Sequence, residues 1–166
     1  VIDVDPGLVA GELRYPKLDA SKDWYEGIRG GGPAASRVLL ESTRHLRGNY
    51  FAYSPQAASS ALNPGRTVGR QLELAIGRRD SPPADMGIAV GEILADVGLS
   101  MDVASALPSA LSGGMAQRAA LAVAVAPEPD LVVADEPETG LDPVLRRTVV
   151  ELLVRVVRGR GAGLLL

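Results

Sequence analysis

The sequence contains no cysteine and only one histidine, His45. The absence of cysteine excludes disulfide bonds, cysteine-ligated zinc and a thiol nucleophile, and a single histidine excludes a metal site built from several imidazoles. Aromatic residues make up 4% of the chain, and lysine occurs only at Lys17 and Lys22. The longest apolar run, Ala119–Ala126, is far shorter than the ~18 residues that indicate a membrane-spanning helix.

The 166 residues correspond to about one domain. Hydrophobic residues make up 46% and charged residues 22%, as is typical of a globular chain. The net charge of −3 disfavours a strongly basic nucleic-acid-binding protein. Because the chain begins with Val1 rather than Met and ends on an apolar run, we expect a fold that is incomplete at both ends.

Hydrophobic periodicity predicts a layered α/β fold. Leu131–Ala134 is a continuous apolar run between two aspartates, which is typical of a buried parallel strand. Alternating helices and strands in the C-terminal half predict a βαβ unit and therefore a parallel sheet. The other predicted strands are Asn49–Tyr53, Gly163–Leu166 and an opening strand at Val1–Val4, and the apolar sequence of Gly163–Leu166 predicts that this strand is buried. The predicted helices are Ser36–Leu46, Thr67–Ile76, Ile88–Val97, Met101–Ala110, Gly113–Ala126 and Pro143–Val157.

The segment Leu111–Arg118, which reads LSGGMAQR, combines a helix cap with two glycines. Ser112 is a good N-cap, and Gly113 and Gly114 allow a ligand to approach the backbone closely. The free N–H groups and the positive end of the helix dipole then point outward together. This pattern predicts an anion site that suits a phosphate, although taken alone it is also the sequence of an ordinary helix cap.

Two carboxylates follow the predicted strand Leu131–Ala134. Asp135 and Glu136 come at its carboxyl end, where open α/β sheets bind their ligands. One carboxylate there can hold Mg²⁺ through its waters, and the other can orient or deprotonate an attacking water. Taken alone, the same residues are also typical of a solvated turn.

Taken together and in this order, these motifs resemble those of the ATP-binding-cassette (ABC) ATPases. LSGGMAQR resembles the signature motif of that family, VVADEP its Walker B strand with the catalytic glutamate, and TGLD its D-loop. The segment Tyr53–Gln56 resembles the Q-loop. The following residues, SALNP and VGRQ, are similar to the branch that imports oligopeptides, dipeptides or nickel. The resemblance covers roughly residues 50–166.

The resemblance implies an α/β fold with a P-loop NTPase-type parallel sheet and an inserted helical subdomain. We expect residues 1–56 to form a partial nucleotide-binding core with a degenerate P-loop region. Residues 57–115 would form the helical subdomain that carries the signature, and residues 116–166 the Walker B and D-loop part of the core.

The resemblance also assigns roles to residues. It implies that Glu136 and Gln56 act in catalysis, and that Asp135 and Gln56 hold Mg²⁺. Ser112, Gly113, Gly114, Gln117 and Asp142 would contact ATP across a head-to-tail dimer with a second ATPase subunit. The family further implies transmembrane permease partners, a peripheral position on the cytoplasmic face of the cell membrane and no nucleic-acid ligand.

The sequence departs from the family at the P-loop, whose pattern G-x-x-x-x-G-K-[ST] provides a lysine for the phosphates and a hydroxyl for Mg²⁺. Neither lysine follows a glycine, so the pattern is absent from these residues. The nearest segment starts at Gly27 and includes Gly30 and Gly32, with Pro33 in the lysine position and Ala34 in the hydroxyl position. Two interpretations stay open, a degenerate phosphate loop and an unrelated glycine-rich turn.

Three hypotheses about function therefore compete. The first is an importer ATPase domain that binds and hydrolyses ATP during uptake of a peptide, nickel or a similar substrate. The second is a non-catalytic subunit that only supplies its signature motif to an intact partner. The third is an unstable fragment without function. A nucleic-acid-handling member of the family is disfavoured because no basic patch with interspersed aromatic residues is present.

Other residues are interpreted as structural. Tyr50 and Tyr53 are expected to pack around a strand, and the pairs Arg78–Arg79 and Arg146–Arg147 are expected to lie on solvated helix faces.

Overall fold

The computed structural model describes residues 11–14, 19–26, 28–29, 32–55, 58–136 and 143–166. The chain divides into two compact units, Val1–His45 and Leu46–Leu166. The predicted opening strand at Val1–Val4 lies outside the described residues.

The first unit contains turns followed by one helix. The buried carboxylate of Asp23 accepts hydrogen bonds from the backbone N–H groups of Leu13 and Tyr25, both at 3.0 Å, and forms an ion pair with Arg29. Helix α1 spans Gly32–Ser42, so it begins four residues before the predicted start at Ser36. A 3₁₀ turn, Arg44–Leu46, replaces the predicted last turn of this helix.

The second unit is built on a three-stranded parallel sheet in the order β1-β2-β3. Strand β1 is Phe51–Ser54, β2 is Leu131–Ala134 and β3 is Gly163–Leu165. The prediction of β2 and of a parallel sheet is confirmed, and β1 begins two residues later than predicted. Val132 and Ala134 of the central strand are buried, and Leu131 and Val133 are half-buried. Neither face of β2 is therefore exposed, which agrees with its continuous apolar sequence.

The prediction that β3 is buried is wrong. Leu165 is 58% exposed and Leu166 is 62% exposed. The reason is position: among the described residues β3 lies at the edge of the sheet and pairs only with β2.

Four α-helices of the second unit match predicted helices. Three of them begin where the sequence offers a cap: Thr67, Asp85 and Ser112 each accept a hydrogen bond from a backbone N–H in the first turn. No helix in the described part of the chain is long and apolar enough to cross a membrane. The helices are α2 (Val68–Ile76), α3 (Met86–Asp96), α4 (Gly113–Val125) and α5 (Pro143–Gly159).

The helix predicted over Met101–Ala110 is instead two 3₁₀ turns, Met101–Ser105 and Pro108–Ala110. Pro108 explains the break, because a proline has no N–H to continue a helix and disfavours helical geometry in the residue before it. Leu107 accordingly has φ −80° and ψ 152°, which is an extended conformation. A further 3₁₀ turn spans Ala58–Ala61.

Helix α4 lies at the centre of the second unit and packs against β1, α2, α3 and α5. Ala119 and Ala122 on this helix are completely buried, and their small side chains allow the neighbouring elements to approach closely. On α5, residues Leu152, Leu153, Val156 and Val157 are buried, as the apolar stripe predicts. The described fold is therefore α/β with a parallel sheet, while the three-part division at residues 56 and 115 stays a prediction.

Candidate functional site

The carboxyl ends of β1 and β2 meet at one edge of the sheet. Ser54 pairs in register with Ala134, and the backbone N–H of Asp135 donates a 2.9 Å hydrogen bond to the carbonyl of Ser54. Asp135 and Glu136 therefore come directly after the last paired residues of β2, and both are exposed. The structure confirms that these two carboxylates lie at the carboxyl edge of a parallel sheet, where α/β proteins bind ligands.

The phenol of Tyr53 contacts one of these carboxylates. Its hydroxyl donates a 3.0 Å hydrogen bond to Oδ2 of Asp135. This hydrogen bond, with smaller contributions from partial desolvation and from the charge of Asp135, raises the pKa of Tyr53 above its usual value. The expectation that Tyr53 packs around the strand is wrong, because its side chain is 59% exposed. In a strand, alternate residues face opposite sides, and in β1 it is Ala52 and Ser54 that are buried.

The backbone of Glu136 adopts the left-handed region, with φ 42°. For a residue with a Cβ this conformation costs roughly 1–2 kcal/mol relative to the right-handed one. Such outliers persist where the surrounding structure imposes them, and they are concentrated at functional sites. Glu128 also has a positive φ, 59°, so this conformation is shared by a residue without an assigned role and by Glu136, to which the family resemblance assigns catalysis.

The start of α4 is a capped helix N-terminus, as the sequence predicts. Oγ of Ser112 accepts a 3.3 Å hydrogen bond from the N–H of Met115, and its carbonyl accepts a 2.8 Å bond from Ala116. Ser112 and Gly113 are exposed, and Gly114 is half-buried. A Cβ placed on Gly113 or Gly114 would meet nothing within 4 Å. Packing within the described chain therefore does not explain why these two positions are glycine.

Arg118, at the end of the LSGGMAQR motif, connects the start of α4 to the end of α3. Its Nε donates to the carbonyl of Gly114 at 3.2 Å, and its Nη1 donates to the carbonyl of Gly98 at 2.8 Å. Gly98 has φ 68° and ends α3. There the N–H of Leu99 donates to the carbonyl of Leu94, and that of Gly98 to Ala95, which is the hydrogen-bond pattern of a Schellman motif. Sequence reasoning assigned no separate role to Arg118, although the motif contains it.

Gln117 lines a small cleft with Ser54 and Arg118. The other residues of the cleft are apolar and come from α4 and α5: Leu121, Val149, Leu152 and Leu153. The cleft places the second turn of α4 beside the carboxyl end of β1.

The opposite end of α4 is held by Arg79. Its Nε donates a 2.8 Å hydrogen bond to the carbonyl of Ala126, and its Nη1 pairs with Glu128 at 2.9 Å. Glu128 also pairs with Arg160 at 3.4 Å, and Arg160 reaches Asp96 at 2.8 Å. The expectation of a solvated face is therefore wrong for Arg79. Its guanidinium lies at the C-terminus of α4, where a cation satisfies free carbonyls and complements the helix dipole.

For the other arginine pair, the expectation of a solvated face is confirmed, because Arg146 and Arg147 of α5 are both exposed.

Several predicted site residues lie outside the described residues: Gln56, Asp142, Gly27 and Gly30. Gly32 is the first residue of α1. The described residues 19–26 are turns and a single helical position rather than a strand, whereas a phosphate-binding loop of this kind follows a strand and opens a helix. A helix does open at Gly32, so one half of that pattern is present and the other is not, and both interpretations of the Gly27–Ala34 segment stay predictions.

The donor set at the sheet edge suits one kind of metal. Within the described ranges, no group of three or more histidine, aspartate or glutamate side chains could hold a metal ion by itself. Mg²⁺ bound with a nucleotide does not need such a group, because it keeps several waters and takes one or two carboxylates together with phosphate oxygens. Asp135, which is exposed at the end of β2, fits that mode of binding.

A parallel sheet with carboxylates at its carboxyl edge, beside a capped helix start that contains two glycines, is typical of α/β domains that bind ligands. The family model described as ABC transporter matches residues 26–139, which is more than half of the chain. The chain therefore belongs to the ABC transporter family.

The similar proteins are peptide-transport ATP-binding proteins. The chain is 32% identical over 129 residues to the oligopeptide transport ATP-binding protein OppD of Lactococcus lactis, covering 76% of this chain and 38% of the relative. It is 36% identical over 152 residues to a putative peptide import ATP-binding protein of Brucella melitensis, covering 89% and 45%. It is 35% identical over 165 residues to the dipeptide transport ATP-binding protein DppD of Escherichia coli, covering 95% and 48%. The chain thus spans less than half the length of these relatives.

Two solved structures show the same fold. One is the dimeric ATP-binding cassette MJ0796 in a post-hydrolysis state bound to ADP and Pi, with a TM-score of 0.63 and 24% identity over 75% of this chain and 54% of that chain. The other is cbiO1 of Clostridium perfringens, part of the ABC transporter complex cbiONQ, with a TM-score of 0.63 and 22% identity over 79% and 50%.

Proposed function

We propose that this chain is part of an ATP-binding and ATP-hydrolysing subunit that drives peptide import. The observation that carries the proposal is the register of β1 on β2, which brings Asp135 and Glu136 to the sheet edge directly beside the segment that leads to Gln56. The named relatives, OppD and DppD, act in oligopeptide and dipeptide transport. They favour a peptide over nickel as the transported substrate.

The proposed chemistry divides the site residues into two groups. At the sheet edge, Asp135 and Gln56 would hold Mg²⁺, which supplies positive charge to the phosphates when bound. Glu136 would orient and deprotonate the attacking water.

The second group lies on the face that meets another subunit. Ser112, Gly113 and Gly114 would offer backbone N–H groups and a hydroxyl to the ATP of that subunit. The open space around both glycines supports this role, because it leaves room for a phosphate to approach the backbone. Gln117 and Asp142 would contribute to the same nucleotide from this side.

The partners follow from this arrangement. We propose a head-to-tail dimer with a second ATPase subunit, and docking of that dimer on transmembrane permease subunits at the cytoplasmic face of the cell membrane. The dimeric neighbour bound to ADP and Pi and the neighbour from a transporter complex support such an assembly.

One observation favours a second candidate function. The sequence contains no G-x-x-x-x-G-K-[ST] pattern, so the main cation that a P-loop offers to the phosphates is absent from these residues. A cationic or hydrogen-bonding group at a transition state is worth about 2.7–4 kcal/mol in comparable cases. The chain would then serve as a non-catalytic subunit that completes the ATP site of an intact partner.

A calorimetric titration with Mg-ATP, followed by a turnover assay, separates the two functions. If the chain hydrolyses ATP, Glu136→Gln should keep nucleotide binding and lower turnover by roughly 10²–10⁴-fold, the usual contribution of a general base. Glu92→Gln is the matched control, because Glu92 is exposed on α3.

A chain that binds no ATP up to millimolar concentration contradicts the catalytic function. The non-catalytic function then requires that the chain stimulate an intact subunit, that Ser112→Arg abolish the stimulation and that Ser109→Arg, at another exposed serine, leave it unchanged. If neither result is obtained, both proposals are wrong.

A further inference from the structure

Tyr53 is a large aromatic residue whose side chain lies outside the buried core. Its side chain is 59% exposed, whereas its neighbours Ala52 and Ser54 are buried. Its hydroxyl donates the 3.0 Å hydrogen bond to Oδ2 of Asp135, a residue that is 82 positions away in the sequence. The register of the two strands brings this pair together, because Tyr53 lies opposite Val133, two residues before Asp135.

We propose that Tyr53 is a positioning residue that orients the carboxylate of Asp135 for a divalent cation. This inference rests on the proposed function, in which Asp135 is a ligand of Mg²⁺. A phenol has one O–H to donate, and a carboxylate has two oxygens that accept. The donation to Oδ2 restricts rotation of the carboxyl group and leaves Oδ1 available for the cation or for one of its waters.

The physical basis is the entropy of an exposed side chain. Asp135 is exposed at the end of a strand, so without a partner its carboxylate would sample several rotamers and would lose that freedom on binding a cation. A hydrogen bond from a rigid aromatic side chain restricts these rotamers before the cation binds. Less conformational entropy is then lost on binding. Hydrogen bonds to carboxylate ligands act in this way in metalloproteins, and their removal typically lowers metal affinity about 10–100-fold.

The experiment uses Mn²⁺ as the probe and needs no turnover. Free Mn²⁺ is measured by electron paramagnetic resonance while the whole chain is titrated, with and without ATP. We expect Tyr53→Phe to weaken Mn²⁺ binding about tenfold and Asp135→Asn to abolish it. Tyr50→Phe is the matched control, because Tyr50 is half-buried and contributes its backbone carbonyl, not its phenol, to the bond with Leu131.

A spectroscopic readout tests the geometry separately. Tb³⁺ takes carboxylate oxygen ligands and emits when a nearby tyrosine is excited. Emission sensitised by tyrosine should fall in both Tyr53→Phe and Asp135→Asn and should persist in Tyr50→Phe. Unfolding by urea should give nearly the same midpoint for Tyr53→Phe and the unmodified chain, because the lost hydrogen bond lies at an exposed position and contributes little to stability.

The outcomes distinguish the inference from the function on which it rests. If Asp135→Asn abolishes Mn²⁺ binding but Tyr53→Phe leaves the affinity unchanged or increases it, the positioning role is wrong and the metal site stands. If Asp135→Asn has no effect on Mn²⁺ binding, the proposed metal site is itself wrong, and the role of Tyr53 with it.

Discussion

Arg118 donates a 2.8 Å hydrogen bond to the carbonyl of Gly98, the residue that ends α3. The same guanidinium holds the carbonyl of Gly114 in the first turn of α4. The arginine of the signature-like motif is therefore bound within its own chain. It fixes the orientation of the helix start that presents Ser112 and Gly113, and so it acts on that surface without being part of it.

The first prediction concerns this arginine. Arg118→Met retains most of the aliphatic stem but leaves two carbonyls without their charged donor. Hydrogen bonds to charged groups contribute about 1.5–3 kcal/mol, and because Arg118 is only half-buried we expect a loss of roughly 1–2 kcal/mol in the free energy of unfolding, measured in urea. Arg155→Met, at an exposed position of α5, should change it by less than about 0.5 kcal/mol. Equal effects of the two substitutions would contradict the role of Arg118.

A second prediction separates helix capping from anion binding at Ser112. Ser112→Ala removes the acceptor for the N–H of Met115 and should cost about 1 kcal/mol of stability. Ser112→Asp keeps an acceptor and places a negative charge at the positive end of the helix, so its stability should equal or exceed that of the unmodified chain. Ser109→Ala serves as the control for loss of an exposed hydroxyl.

The two functions of Ser112 should respond differently to aspartate. A carboxylate repels phosphate, so Ser112→Asp should abolish the stimulation of an intact partner's ATP turnover while the chain remains fully folded. Normal stimulation by Ser112→Asp would show that this helix start does not contact the nucleotide.

How far the sequence predicts the structure differs between local and long-range features. The cap at Ser112 and the uniform apolar run of β2 depend on residues close in the chain, and the sequence predicts both. The caps at Thr67 and Asp85 are equally local, but hydrophobic periodicity does not identify them. The break between the two 3₁₀ turns depends on the backbone restriction that Pro108 places on Leu107, and the spacing of hydrophobic residues does not reveal it. The exposure of β3 depends on which strand lies at the edge, and no residue of β3 carries that information.

The candidate site shows the same division. The positions of Asp135 and Glu136 follow from a strand and its end, so the sequence predicts them. The contacts of Tyr53 with Asp135 and of Arg79 with Ala126 join residues that are 82 and 47 positions apart. Only strand register and helix packing create them, although the alternation along β1 could have indicated that Tyr53 faces away from the buried side.

A third prediction compares two glycines inside helices. A Cβ on Gly69 of α2 would lie 2.8 Å from the carbonyl oxygen and 3.1 Å from the Cβ of Ala104, so backbone would have to move. We expect Gly69→Ala to destabilise the fold by about 1–3 kcal/mol, as overpacking does. A Cβ on Gly91 of α3 would meet only Sδ of Met101 at 3.5 Å, so Gly91→Ala should stabilise by roughly 0.5–1 kcal/mol through helix propensity.

Thermal or urea unfolding of the two variants checks this pair. The opposite signs are the test, because both substitutions make the same chemical change in a helix. If both substitutions stabilise the chain, α2 does not approach the 3₁₀ turn Met101–Ser105 as closely as the structure shows.

The last prediction concerns the ionisation of Tyr53 at alkaline pH. The hydrogen bond to Asp135 raises the pKa of its phenol above the usual value of 10.0, because the folded state favours the protonated form that can donate. The stabilising effect is therefore fully present below the pKa of the unfolded chain and is lost as the pH rises through the higher folded-state pKa.

Ultraviolet absorbance of the phenolate during a pH titration measures this ionisation. Tyr53→Phe should remove a component that titrates above pH 10.0, whereas Tyr50→Phe should leave that component in place. Asp135→Asn should move the midpoint of the component down towards the usual value, since a neutral amide oxygen is a weaker acceptor than a carboxylate and no longer opposes the phenolate charge. A component that titrates at or below the usual value in the unmodified chain would show that the bond between Tyr53 and Asp135 does not form in solution.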